Sequence, residues 1–369
     1  MIREWEEVWV GCYRRVQMKD APHNLTARDR MVRAASRQPV DGPPVWIMRQ
    51  AGRYLPEYHE IRQLGTFMET CRHSDRAAEI TCQPIRRFGM DAAVVFSDIL
   101  VPAEAMGMDV SFEEGKGPKL GPALRSRADI ERLHAFDPEE STGFLGDAIR
   151  KVRAELGEDR AIIGFCGAPF TTASYMIEGG SSRNFEHTKA MLHGSPEAFR
   201  ELLERIVDAL VPYLGMQVEA GADVLQVFDS WGGALSAATY TEMLRAPMER
   251  LICSAKALNV PVIVYVNGGG HLLELLADLG PDCVSIDWRV DPADARARVG
   301  DRVALQGNLD PSALFAPSDV VARLTGETLD RFGPEPGYIF NLGSGILPKT
   351  PVECVQAVVE TVRGRRGTA

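Results

Sequence analysis

Eight short apolar runs, each followed by an amphipathic stretch, constrain this chain more than any other feature. In order they are Val45–Arg49, Ala92–Asp98, Ala161–Gly167, Val224–Asp229, Val262–Asn267, Cys283–Asp287, Val303–Gly307 and Tyr338–Gly343. Continuous rather than alternating hydrophobicity is expected of strands covered on both faces, as in a parallel sheet wrapped by helices. The intervening segments read as helices. Ser195-Pro196-Glu197 supplies an N-cap and a proline at the first helical position, and Phe199, Leu202, Leu203, Ile206, Val207 and Leu210 follow as one stripe. Thr350-Pro351-Val352-Glu353 reads as a capping box ahead of Val355, Val358, Val359 and Val362. The alternation predicts a single (β/α)₈ barrel, distorted, with a doubly wound sheet as the alternative. Long stretches after the second and third runs leave room for loop excursions at the C-terminal mouth. One of them, Met106–Leu124, carries a hairpin-like Val110-Ser111-Phe112 and Gly115-Lys116-Gly117-Pro118.

Composition narrows the class further. Of 369 residues, 45% are hydrophobic and 25% charged, which rules out disorder, collagen and coiled coil. No apolar run approaches the ~20 residues needed to span a bilayer, so no membrane role is expected. The formal charge of −10 leaves no surplus of cations for nucleic acid, although it permits a local basic pocket. Seven scattered cysteines without a CxxC pair read as reduced thiols in a cytoplasm. Residues 1–24 read as an N-terminal extension, disordered or translated from an upstream start, and residues 25–369 as one catalytic domain. Met1–Val16 lacks the basic start and long apolar core of a secretory signal.

Barrel enzymes carry their chemistry at the C-terminal ends of strands. Those positions hold Arg49, Asp98, Cys166, Asp229 with Ser230, Asn267, Asp287, Asn308 and Ser344. Two clusters stand out. In Met48-Arg49-Gln50-Ala51-Gly52-Arg53-Tyr54, two guanidiniums four residues apart can clamp carboxylates bidentately, and Arg62 is a third candidate. The same spacing also suits surface arginines with buried stems. In Val94–Leu100, Asp98 lies among apolar neighbours, where it caps a helix, pairs with an arginine or works in a site. Gly343-Ser344-Gly345 suits either a phosphate or a turn. There is no HExxH, no Gly-x-Ser-x-Gly elbow and no Walker loop, and no histidine stands at metal-ligand spacing from a cysteine.

At these residues the chain resembles the uroporphyrinogen decarboxylase family. The matching segments are Pro44–Pro56, Val95–Leu100, Gly164–Gly180, Gln226–Gly233, Leu305–Pro311 and Phe340–Ile346, and the resemblance runs from about Leu25 to Arg363. It implies an enzyme without cofactor or metal on a distorted barrel, working as a homodimer. Its reaction would remove CO₂ from the four acetate arms of a tetrapyrrole, uroporphyrinogen III, giving coproporphyrinogen III for haem synthesis. By position, Arg49, Gln50, Ala51, Gly52, Arg53, Arg62, Asp98, Tyr175 and Ser230 would bind substrate, with Asp98 and Arg49 catalytic. One departure is visible: Ser344 stands where the family pattern carries histidine. Its contact with the tetrapyrrole would be weaker, water-mediated or missing. Two rivals remain at this stage. A zinc-dependent, cobamide-using methyltransferase of the same superfamily would need a His-x-Cys pair, which the chain lacks. A porphyrinogen-binding protein without turnover is the other.

Overall fold

A computed structural model describes residues 24–113 and 117–366. The expected N-terminal extension therefore falls almost wholly outside the described residues, as do Cys12 and the tip of the predicted hairpin. Seven strands form one parallel sheet. They are β1 (Ala92–Val94), β4 (Ala161–Gly167), β5 (Val224–Asp229), β6 (Val262–Val266), β7 (Cys283–Ser285), β8 (Ala304–Leu309) and β9 (Tyr338–Leu342), paired in that order. Between β1 and β4 the chain inserts an antiparallel hairpin, β2 (Asp109–Glu113) and β3 (Gly117–Gly121), with Val110 opposite Leu120. The predicted hairpin segment thus exists, and Val110-Ser111-Phe112 lies inside its first strand.

The eighth member closes the ring. Val45 bridges Phe340 in parallel. Pro44 O accepts from Phe340 N at 2.9 Å, and Val45 O accepts from Asp91 N at 2.9 Å. The segment therefore sits between β9 and β1, and a distorted (β/α)₈ barrel results. The expected strand Val45–Arg49 is reduced to this one bridge for a physical reason. Of its backbone donors only Trp46 N reaches the neighbouring strand, at Phe340 O (3.4 Å); Val45 N goes to Asp91 at 2.8 Å, Ile47 N to Gln50 at 2.8 Å and Met48 N to Asn341 at 2.9 Å. With no ladder to follow, the chain turns at Met48. The second run is also shorter than expected, because Phe96 N leaves the sheet for Thr81 Oγ1 at 2.8 Å and Ser97-Asp98 become loop. Strand β8 extends through Leu309, two residues beyond expectation.

Helix Pro196–Glu219 begins where Ser195 and Pro196 predict, although the serine hydroxyl makes no cap bond. The capping box at Thr350 does not form. Pro351 is the N-cap of helix Val352–Arg363, and Thr350 Oγ1 lies buried without a partner. The helix starts one residue later than the pattern predicts, so Thr350 precedes the cap position instead of occupying it.

Three strands share a start. Gly89-Met90-Asp91, Gly221-Ala222-Asp223 and Gly280-Pro281-Asp282 precede β1, β5 and β7. Each glycine adopts a left-handed φ (69°, 118° and 80°), ending the preceding helix region. Each aspartate then accepts a backbone N–H from a neighbouring barrel segment: Asp91 from Val45, Asp223 from Ile162 at 2.8 Å, and Asp282 from Val262 at 2.9 Å. Arg30 and Arg366 also bind Asp91, while Arg28 and Arg153 bind Asp223. These clasps lie at the N-terminal ends of the strands, opposite the mouth, and read as stability devices.

Inside the barrel the indole of Trp46, fully buried, donates to Gln306 Oε1 at 2.9 Å. Gln306 Nε2 reaches Ser285 Oγ at 3.0 Å and Gln226 Oε1 at 3.2 Å. This polar layer ties β5, β7 and β8 to the reduced first segment.

Asp91→Ala is expected to destabilise the protein by about 2–4 kcal/mol, because Arg366 and the buried Val45 N–H lose their acceptor while Arg30 keeps only Asp41 and Leu25 O. Urea unfolding measures the loss. Turnover per folded molecule is expected to stay unchanged, since the clasp is at the far end from the mouth.

Candidate functional site

The turn after Val45 builds one side of the mouth. Gln50 is wholly buried; its carbonyl oxygen accepts from Ile47 N, and its Nε2 donates to Ala92 O at 2.8 Å. It therefore pins the turn from beneath rather than lining its surface. Ala51 is buried as well, and Gly52 (φ 106°) lies where a methyl would meet Phe96 and Tyr58 at 3.3 Å. With those positions fixed, Arg49 and Arg53 take left-handed φ values of 65° and 54°. Such conformations cost non-glycine residues on the order of 1 kcal/mol each and cluster at functional sites.

Arg49 is exposed and its stem lies across Gly345, where a methyl group would stand 2.7 Å from Arg49 Cδ. The glycine of the last turn is thus required by close approach of the arginine. Arg53 is half-buried and donates to Ile346 O at 3.3 Å. Arg62, also half-buried, donates to Gly65 O and approaches the Tyr58 phenol. Among the described residues, none of these three arginines forms an ion pair within 4.0 Å.

Asp98 faces them. It is half-buried in the loop after β1, where Oδ1 accepts the N–H of Leu100 at 2.9 Å. Burial pushes its carboxyl above the ordinary range, against the opposing pull of that N–H and of the Arg49 cation. The charge of Asp98 is therefore poorly satisfied by the protein alone. Tyr175 lies near both Asp98 and Arg49, and burial pushes its phenol up to about 12. Its ring lies 3.9 Å from that of Trp231, which meets Phe185 at 5.1 Å. A second aromatic row, Phe165, Phe228 and Tyr265, runs across β4, β5 and β6 with centroids 5.5 and 6.3 Å apart. The Tyr265 hydroxyl donates to Gly343 O at 3.0 Å, beside Ser344. Ser230 is half-buried at the end of β5.

Other polar strand ends brace loops. Asp229, fully buried, accepts from Thr171 (2.7 Å), Gly232 N (3.0 Å) and Tyr240 (3.2 Å), and burial still pushes its carboxyl up to about 6. Asn308 donates to the carbonyls of Asp287 and Val290, both at 2.8 Å. Cys166 is buried with its thiol pushed up by desolvation. Trp231, Phe228 and Tyr265 were not singled out by reading strand ends alone. The latter two precede a strand's final polar residue by one or two places, so counting back along the strand would have found them.

The family model for uroporphyrinogen decarboxylase (URO-D) matches residues 26–365. The chain belongs to the uroporphyrinogen decarboxylase family. A uroporphyrinogen decarboxylase of Saccharophagus degradans is 47% identical over 339 residues, covering 90% of this chain and 96% of that one. One from Myxococcus xanthus is 48% identical over 341 residues, covering 92% and 97%. Among solved structures, a methyltransferase from Methanosarcina mazei superposes with a TM-score of 0.80 at 21% identity, over 92% of this chain and 99% of that one. At that identity the likeness speaks for the barrel alone. Among the described residues no cluster of three His, Cys, Asp or Glu side chains is arranged to hold a metal.

A stability prediction follows from Asp98. Its native pKa lies above the unfolded value of about 3.9, so the native state binds the proton more tightly. Ionised Asp98 therefore weakens the fold, by an amount that is absent below the unfolded pKa and grows until pH passes the native pKa. Asp98→Asn keeps the acceptor for Leu100 N and is expected to raise the urea midpoint at pH 7. The gain should shrink as pH falls through the native pKa and vanish by about pH 3. A lowered midpoint at pH 7 would mean that attraction to Arg49 outweighs desolvation.

Proposed function

We propose that this chain removes CO₂ from the acetate side chains of uroporphyrinogen III, leaving methyl groups and yielding coproporphyrinogen III. Family membership over nearly the whole chain supports the activity. The observation that carries the residue assignment is a desolvated carboxylate, Asp98, set against unpaired Arg49 at the mouth.

The chemistry asks for that pairing. An acetate on a pyrrole loses CO₂ poorly because the electrons left behind need a sink. Protonating the ring α-carbon creates one, a cationic pyrrole whose N–H becomes a stronger donor. Asp98 uses Oδ1 for Leu100 and is otherwise short of donors, so the inward-facing N–H groups of a macrocycle complete its coordination. At an effective dielectric of 20, opposite charges ~4 Å apart attract by about 4 kcal/mol. That approaches a thousandfold in rate where the attraction is realised only in the transition state. Arg49, Arg53 and Arg62 answer the acid groups on the rim of the substrate, and Arg49, whose charge reaches Asp98, helps to organise proton delivery. A guanidinium gives up its proton reluctantly, so a bound water or a substrate carboxyl is the better acid. Tyr175 and Ser230 border the ring, and Gln50, Ala51 and Gly52 serve by fixing the turn that carries the arginines. Ser344 offers a short hydroxyl beside Tyr265. The protonated pyrrole is its own electron sink, so the reaction as read uses no cofactor and no metal.

Residues 25–369 act as one catalytic domain, with 1–24 an extension to it. The working form is a homodimer and the location is cytoplasmic, both supported by the family alone. No helix of the described residues is long and apolar enough to cross a membrane.

Anaerobic incubation with uroporphyrinogen III, without added metal or cofactor, is expected to yield coproporphyrinogen III on chromatography. Asp98→Asn should lower kcat at least about tenfold, within the range that lost electrostatic stabilisation produces. Tight binding without product in the native protein would favour the non-catalytic binding protein instead. Separately, Arg49→Met, Arg53→Met and Arg62→Met should each raise KM and flatten its dependence on salt. A KM unmoved in all three would remove the arginines from substrate recognition.

A further inference from the structure

The turn after β7 carries a cation that neither the strand-end reading nor the family motifs assign. Trp288 and Arg289 follow Asp287, and the Arg289 guanidinium stacks on the Trp288 ring at 3.9 Å. The turn is held firmly. Buried Asp287 accepts the Arg289 N–H at 2.8 Å and also takes the Gly268 N–H, while Asn308 grips the carbonyls of Asp287 and Val290. Trp288 packs against the turn of the last strand so closely that a methyl on Gly343 would stand 2.3 Å from Trp288 N. The Trp288-Arg289 turn thus abuts Gly343, two residues from the Gly345 that the Arg49 stem crosses. The Arg289 charge is felt at the Tyr265 phenol together with that of Arg49.

The guanidinium is only partly committed. Its side chain is 54% exposed, and its two polar contacts, Asp287 Oδ2 and Asn267 Oδ1, both fall on Nη1 at 3.4 Å. Among the described residues nothing engages Nε or Nη2, which form one edge of the planar fork suited to a carboxylate. Asp287 offsets part of the charge, but it is buried beneath the turn and already holds two backbone N–H groups. An arginine laid on an indole is a preorganised donor, since the stack removes much of its rotamer freedom.

We propose that Arg289 is a carboxylate-binding residue of the mouth, gripping an acid arm of the substrate on the side of the ring opposite Arg53 and Arg62. The inference deepens the decarboxylase reading and rests on it for the identity of the ligand. With Ser344 too short to reach far, this cation supplies the positive charge on the β7–β9 side. It recognises the outer acid groups and takes no part in the bond that breaks.

The test compares native protein, Arg289→Met and Arg289→Lys. The probes are fluorescent uroporphyrin as an octacarboxylate ligand and uroporphyrinogen III as substrate. Arg289→Met is expected to raise the uroporphyrin Kd and the KM about two- to fivefold, with kcat within about 1.5-fold, as for loss of one semi-exposed ion contact. Its salt dependence should be shallower than that of the native protein, and Arg289→Lys should recover part of the affinity. An unchanged urea midpoint shows that the turn still folds. A Kd, KM and salt slope equal to native in Arg289→Met would overturn the assignment while leaving the decarboxylase reading intact. A native protein that binds uroporphyrin but makes no product sinks that reading alone, because Kd still reports on Arg289. Failure of the native protein to bind uroporphyrin at all overturns both.

Discussion

The barrel depends on a transfer of hydrogen bonds from backbone to side chain in its first segment. Asp91, Gln50 and Asn341 take the N–H groups of Val45, Ile47 and Met48, which an ordinary strand would present to its neighbours. A ladder would have carried the segment straight into the mouth, in extended conformation, with alternate side chains pointing outward. Freed from it, the backbone turns at once, and two arginines four residues apart enter left-handed conformations. The strain is tolerable because the turn is over-determined from below by a glutamine with no remaining freedom. Each hydrogen bond in this set has a side chain at one end, so the geometry is encoded in residue identity rather than in pairing register.

Much of this was legible in the amino-acid order, and the misses share a cause. Parallel strands covered on both faces leave a continuous apolar signature, which is why β4 and β5 fall where the runs Ala161–Gly167 and Val224–Asp229 do. Hydrophobicity alone does not report when a run stops pairing. Val45–Arg49 and Ala92–Asp98 stay apolar after their backbone groups have gone to Gln50 and Thr81, so hydrophobicity predicts longer strands than form. Thr350 shows the same blindness at a helix start, where the cap position falls to Pro351, one residue later than a well-formed capping pattern predicts. The three Gly-x-Asp starts were visible all along. Their meaning emerges only when the barrel sets each aspartate beside the neighbouring segment, a contact with no local signature.

Polar residues at strand ends divide into two kinds that sequence does not separate. Asp229 and Asp98 both follow apolar runs and both have carboxyls pushed up by burial. Asp229 meets two hydroxyls and a backbone N–H, so its lone pairs are answered within the protein. Asp98 has a single backbone N–H and an arginine at a distance. A satisfied buried acid rigidifies its surroundings, whereas an under-satisfied one is an unfilled demand for donors. The difference lies in what faces each carboxylate from other elements, which is a property of the fold.

The same contrast governs the cations, and it resolves how an acidic protein attracts a polyanion. Across the surface, arginines such as Arg86, Arg87, Arg250 and Arg298 are bound to glutamate or aspartate. Each such pair projects little beyond its own dipole, and the excess of acids that makes the chain −10 lies screened within about 8 Å at physiological salt. Arg49, Arg53 and Arg62 form no ion pair among the described residues, so no acid of the protein cancels their charge. Had they been paired, a carboxylate ligand would have had to displace a partner and gain almost nothing. Leaving them unpaired raises the free energy of the empty site, as does leaving Asp98 short of donors. Both deficits are removed by one kind of molecule, with acids around its rim and N–H groups at its centre, so the stability forgone in the free protein becomes selectivity for that charge pattern.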